Sequence, residues 1–175
     1  MSSTGWRPVR IAAWASAAIV LVGCGSPQSN SSGPTAPAPV YRAAECGGVT
    51  DADVTKAVGS TLFTKVVTSD AGCFWQENTA IGSFGLGMGI STWWYRGSDL
   101  DTERDLERKV GRTLTELSVD GNKGFKAFDE NACSIYVAKG NDVITWSIQT
   151  VNPTMLPDLC SVAEQLAQLS QDRVN

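Results

Sequence analysis

No histidine occurs among the 175 residues of this chain. That removes the commonest general base and the commonest metal ligand, so Ser-His-Asp, Cys-His and histidine-based zinc sites are excluded. Serine–lysine and carboxylate chemistry stay open. Yet no Gly-x-Ser-x-Gly elbow, phosphate loop or paired-carboxylate motif is present. Positive charge is scarce, with 14 Lys+Arg against 18 Asp+Glu. Such a balance argues against nucleic acid and against charge-driven binding to anionic lipid. Long apolar runs are scarce too. Ile11 to Val22 is an apolar stretch of twelve residues, whereas a helix across a bilayer core needs about 20.

That stretch follows Arg7 and Arg10, the pattern of an export signal; its other reading is a short buried core helix. The two arginines are not adjacent, which favours the general secretion route over a twin-arginine one. The run Leu21-Val22-Gly23-Cys24, followed by Gly25, resembles the lipobox of bacterial lipoproteins. The resemblance implies cleavage before Cys24, its acylation, and anchoring to the outer face of the cell membrane. Each buried methylene contributes about 0.8 kcal/mol, and one chain alone holds marginally. The diacylglycerol implied here, often with a third chain, needs no basic patch beside it. Without residues 1–23 two arginines leave and no acid does, so 12 Lys+Arg face 18 Asp+Glu, a net of −6.

Residues 25–44 are rich in Ser, Pro, Ala, Gly and Asn, including Pro34-Thr35-Ala36-Pro37-Ala38-Pro39. Such a stretch buries too little apolar surface to offset its conformational entropy and reads as a tether. The expected organisation is a signal peptide over 1–23, the acylated cysteine and tether over 24–44, and one globular domain over 45–175.

Beyond Cys24 the cysteines are Cys46, Cys73, Cys133 and Cys160, an even set. Outside the cytoplasm this favours two disulfides, with three possible connectivities. The separations of 27, 60 and 27 residues point to Cys46–Cys73 and Cys133–Cys160. They lack the close ligand pairs of a structural zinc site, so no metal and no cofactor is expected.

Thr50 with Asp53 three residues on forms a capping box, Val49 and Val54 a staple, and Gly59 a stop, predicting a first helix. Strands follow at 62–67 and Cys73–Glu77 around the Ser69-Asp70-Ala71-Gly72 turn. From Gly82 to Ser91 apolar residues alternate with glycine, predicting a strand whose bare face carries Gly85, Gly87 and Gly89. That face would either take close packing from another element or floor a ligand groove. Trp93-Trp94-Tyr95-Arg96-Gly97 is read as a turn. Ser98 then caps a second helix with Leu100, Leu106 and Val110 as its larger apolar residues and its charges in water. Strands at 113–119, 123–128, 133–138 and 143–150 surround the hairpin turns Asp120-Gly121 and Gly140-Asn141. Leu159, Val162, Ala163, Leu166 and Leu169 form the stripe of a last helix. The segment from Cys73 to Trp94 loosely echoes that from Cys133 to Ile148, either as a degenerate repeat or because hairpins look alike. The fold class expected is α+β: an antiparallel sheet with about three helices on it, held by two disulfides.

Several runs resemble an uncharacterised family of actinobacterial (mycobacterial LprB/LprC-like) exported lipoproteins. They are Cys46-Gly47-Gly48-Val49, Gly72-Cys73 with Trp75, Trp94-Tyr95-Arg96-Gly97-Ser98, Glu103-Arg104, and Asp120-Gly121 with Gly124-Phe125. The resemblance implies location and fold kinship and carries over no catalytic residue.

Trp93, Trp94, Tyr95 and Arg96 are the candidate binding surface, since arginine beside aromatics suits a carboxylate, a phosphate or a sugar ring. Otherwise the tryptophans are core and Arg96 pairs with an acid. The function expected is a membrane-anchored envelope lipoprotein with a non-catalytic binding or accessory domain. Its partners would be the membrane, through acylated Cys24, and an envelope protein, peptide or lipid, with no nucleic acid. A lipid or glycolipid carrier is the first alternative, which requires a cavity of roughly a few hundred Å3. An enzyme without histidine is the second.

Overall fold

The computed structural model describes residues 44–59, 63–78, 87–152 and 158–174. Cys24, residues 25–43 of the expected tether, and Gly85 with Phe84 and Leu86 lie outside them.

A 3-10 turn at Glu45–Gly48 leads into α1 (Asp51–Val58). The capping box forms as its sequence predicts. Thr50 Oγ1 accepts from the Asp53 N–H, and the Asp53 carboxylate accepts from the Thr50 N–H at 2.9 Å. Val49 and Val54 are buried, and Gly59 ends the helix with φ 75°, a left-handed geometry that glycine adopts without strain.

The remaining elements are β1 (Phe63–Ser69), β2 (Gly72–Glu77), β3 (Gly89–Tyr95), α2 (Leu100–Lys109), β4 (Thr113–Val119), β5 (Asn122–Phe128), β6 (Ala132–Lys139), β7 (Asp142–Gln149) and α3 (Leu159–Arg173). The strands form one sheet in the order β1-β2-β3-β7-β6-β5-β4, with every neighbouring pair antiparallel. This is the expected α+β class. Asp120 and Gly121 take the positive φ values that a tight β4–β5 hairpin needs. A bulge between Lys65 and Val67 interrupts the edge strand β1, which blunts it against pairing with other chains.

One face of the sheet carries the main core. Trp75, Ile90, Ile135, Ile144, Trp146 and Ile148 are buried there, and Trp75 stacks on Trp146 with centroids 5.8 Å apart. Val162, Ala163, Leu166 and Ala167 of α3 cover it. The disulfide Cys46–Cys73 joins the 3-10 turn to β2, and Cys133–Cys160 joins β6 to α3. On the opposite face α2 packs against β4, β5 and β6, over a smaller cluster of Phe125, Ala127, Tyr136 and Val143.

Four expectations are corrected. Of the strand predicted over Gly82–Ser91, residues 82–86 lie outside the described residues; Gly87 has φ +58 and is not extended, and β3 starts at Gly89. Trp93, Trp94 and Tyr95 belong to that strand, and the turn is Arg96-Gly97. On α2 the cap is Asp99, which accepts from the Thr102 N–H at 2.8 Å. Ser98 instead donates to Glu103. The charges of this helix, expected in water, are in part buried. Leu106 and Val110 are 51% and 72% exposed, while Glu103 and Glu107 are only 8% and 7% exposed.

Candidate functional site

Adjacent residues of a strand point to opposite faces, and this divides the expected aromatic cluster. Trp94 lies in the main core, where its indole N–H donates to Asp142 Oδ2 at 2.7 Å. Asp142 Oδ1 accepts from the Gly97 N–H at 2.8 Å and so fixes the turn. Arg96 is exposed in that turn and donates to the Asp70 carbonyl at 3.4 Å, not to an acid. Tyr95 is half-buried against the α2 cluster. Trp93 alone remains half-exposed on the open half of the second face. The four residues therefore do not form one surface.

The glycine face has definite occupants. A Cβ on Gly89 would stand 2.9 Å from Phe74 Cε2, and one on Gly87 would stand 2.5 Å from Val151 Cγ2. The Phe74 ring thus lies over Gly89. A Cβ on Gly72 would likewise meet Trp93 Cε3 at 2.7 Å, so the indole lies over Gly72. Two aromatic rings of β2 and β3 each lie across a glycine of the other strand. Phe74 was not among the sequence candidates; its alternation with Cys73 and Trp75 marked the face, but its cross-strand partner depends on register.

From Phe74 a row of hydroxyls crosses the sheet. Phe74, Ser91, Ser147 and Ser134 are successive cross-strand partners on β2, β3, β7 and β6. The next row is Gly72, Trp93, Thr145 and Tyr136. Phe74, Ser91, Trp93 and Ser147 are partly exposed, and Gln76 and Gln149 at the margin are exposed.

Under α2 the row ends in a buried polar network. Tyr136 donates to Glu107 Oε1, and Arg112 Nη1 reaches the same oxygen at 3.3 Å. Arg112 also donates to Ser134 Oγ at 3.0 Å and to Asp129 Oδ2 at 3.1 Å, and Ser134 shares a hydrogen bond of 2.8 Å with Ser147. Burial, then the Glu107 carboxylate, pushes the Tyr136 phenol well above its ordinary value. Burial, then Glu103 and Glu107, raises that of Tyr95. Neither phenol can act as a base near neutral pH. None of its buried side-chain atoms lacks a hydrogen-bond partner, as in a structural cluster. Its signal in the sequence was the i, i+4 spacing of Glu103 and Glu107, which places both on one helix face.

The hollow beside Cys46, Asp70, Thr92 and Trp94 has a volume of about 20 Å3, room for roughly one water. A cleft of about 490 Å3 between Gly87, Asp129, Asn131 and Val151 is open and acid-rimmed. Neither offers the enclosed apolar space that a lipid chain needs. Among the described residues no group of His, Cys, Asp and Glu is placed to hold a metal. No helix among them is long and apolar enough to cross a membrane.

The family described as "Protein of unknown function (DUF3558)" matches residues 19–173. "Putative lipoprotein LprB" of Mycobacterium tuberculosis (strain CDC 1551 / Oshkosh) is 29% identical over 165 residues, covering 86% of both chains. The protein of the same name from Mycobacterium bovis is 28% identical over 164 residues, again covering 86% of each. That from Mycobacterium leprae is 26% identical over 131 residues, covering 71% of this chain and 67% of its own. No solved structure matches the chain.

Proposed function

The chain belongs to this family of proteins of unknown function (DUF3558), and from that premise we propose that it is an exported cell-envelope lipoprotein whose domain binds rather than catalyses. Cys24 is its acylated residue, residues 25–44 its tether, and 45–175 the domain held at the outer face of the membrane. The observation that carries the reading is Leu21-Val22-Gly23-Cys24 at the end of an export signal, in a chain whose relatives are named lipoproteins. The non-catalytic part is supported by the polar groups gathered under α2, which are spent on one another, and by phenols held neutral.

The test is Cys24→Ala in a bacterial host that processes lipoproteins, followed by membrane fractionation and labelling with a clickable palmitate analogue. The parent should be labelled and sediment with membranes, and the variant should be unlabelled and released or left with its signal uncleaved. Unchanged labelling and partition would remove the anchor from this reading. Turnover of a hydrolase substrate by the purified chain, abolished by Glu107→Gln, would remove the non-catalytic part.

A further inference from the structure

The open half of the second sheet face combines three features. Its aromatic rings, Phe74 and Trp93, pack against Gly89 and Gly72 and are partly exposed. They sit two residues apart along the strand direction, Trp93 being two on from Ser91, the partner of Phe74, a step of about 7 Å. The floor beside them is made of neutral hydrogen-bonding groups: Ser91 and Ser147, with Gln76 and Gln149 exposed at the rim. Among the described residues no charged side chain stands on β2, β3 or β7 on this face. Thr145 is 2% exposed, and its hydroxyl has no hydrogen-bond partner. It lies directly between Trp93 and Tyr136.

This chemistry selects among occupants. A nucleic acid or phosphate headgroup needs cations, and among the described residues β2, β3 and β7 carry none on this face. An acyl chain would cover the Ser91 hydroxyl without giving it a partner. The cores of protein interfaces are depleted in serine, yet serine forms this floor. A neutral sugar meets all three features, because its C–H faces pack on aromatic rings while its hydroxyls pair with serine and glutamine.

We propose that Phe74 and Trp93, with Ser91, Ser147 and Gln149 beside them, form a binding platform for a neutral glycan chain. The proposal rests on the reading of the domain as a binding module and names its ligand class.

The experiment uses the full chain purified in a zwitterionic detergent free of sugar, applied to immobilised glucan, mannan, galactan and arabinan. Retention on at least one polysaccharide, with a change in tryptophan fluorescence, is expected. Trp93→Ala and Phe74→Ala should each weaken binding about tenfold, with Trp93→Phe recovering part of the loss. Gln149→Ala, at an exposed position that does not threaten the fold, should weaken binding several-fold and serves if the aromatic variants unfold. Failure of all four polysaccharides to retain the folded parent overturns the proposal. So does equal binding by parent and Gln149→Ala together with any folded aromatic variant. A dimer abolished by Trp93→Ala, with no glycan bound, would assign the face to a second copy and also overturn it. Labelling at Cys24 with no glycan binding sinks this inference alone, whereas glycan binding by an unlabelled parent sinks the anchor alone.

Discussion

Arg173, the last residue of α3, grips Asp53 in the first turn of α1 with both prongs, Nη1 to Oδ2 at 2.6 Å and Nη2 to Oδ1 at 3.3 Å. The same carboxylate completes the α1 capping box, and Arg173 also donates to the Gly48 carbonyl at 3.0 Å. One side chain therefore ties the C-terminal helix to the start of the domain. The Arg173 guanidinium, then the Thr50 N–H and hydroxyl, holds the Asp53 carboxyl well below the usual carboxylate range.

A pH dependence follows from this pair. A carboxylate whose folded-state pKa is depressed adds stability above its unfolded value of about 3.9, and that stability fades as pH falls below it. Arg173→Ala should therefore lower urea stability at neutral pH, and the gap between variant and parent should narrow between about pH 5 and 3. A gap independent of pH would mean that the arginine acts through packing alone.

The network under α2 should respond strongly to removal of its centre. Glu107→Ala leaves the buried Tyr136 hydroxyl and one arm of Arg112 without their acceptor. A loss of about 3 kcal/mol in equilibrium unfolding is expected. Tyr136→Phe removes one charged hydrogen bond and should cost about 1.5 kcal/mol. Near-neutral values for both would show that Glu107 is solvated in solution.

The outer side of the same helix makes the opposite prediction. Leu106 and Val110 face water, so Leu106→Gln and Val110→Lys should change stability by no more than about 0.5 kcal/mol. Losses of the size expected for a core leucine, about 2–5 kcal/mol, would show that Leu106 and Val110 are buried in solution.

This helix shows where the sequence was readable and where it was not. Local chemistry was readable: the Thr50–Asp53 box, the Gly59 stop, the Asp120-Gly121 hairpin and the α3 stripe are where their residues place them. Each is decided within a few residues. The orientation of α2 is decided by what lies beneath it. Tyr136, Arg112 and Ser98 supply donors to Glu103 and Glu107, and those partners are 5 to 29 residues away in the chain. The aromatic pair on β2 and β3 was hidden for the same reason. Phe74 over Gly89 and Trp93 over Gly72 are consequences of strand register, which alternation within one strand does not specify.

The two disulfides should be separable by their effect. Each closes a span of 27 residues, and removing either as a Cys→Ser pair should cost about 2–4 kcal/mol. Cys46→Ser with Cys73→Ser loosens the 3-10 turn from β2, and Cys133→Ser with Cys160→Ser loosens α3 from β6. Peptide mapping of unreduced protein should give Cys46–Cys73 and Cys133–Cys160; any crossed pair would contradict the sheet register at Cys73 and Cys133.

The glycines beneath the aromatic pair should differ in what they tolerate. At Gly89 an added methyl meets the far edge of the Phe74 ring at 2.9 Å, and a ring can turn about its side-chain torsions. At Gly72 it meets the Thr92 carbonyl oxygen at 2.0 Å, which is backbone held within the β2–β3 ladder and cannot give way without breaking pairing. Gly89→Ala should therefore cost about 1 kcal/mol, and Gly72→Ala about 3 kcal/mol or more. The spectroscopic signature differs as well. Gly72→Ala displaces the Trp93 indole and should shift tryptophan emission to the red, whereas Gly89→Ala disturbs a phenylalanine and should leave that emission unchanged. Equal losses, or a red shift from Gly89→Ala alone, would mean that the rings do not lie over the glycines as described, and the aromatic surface would go with them.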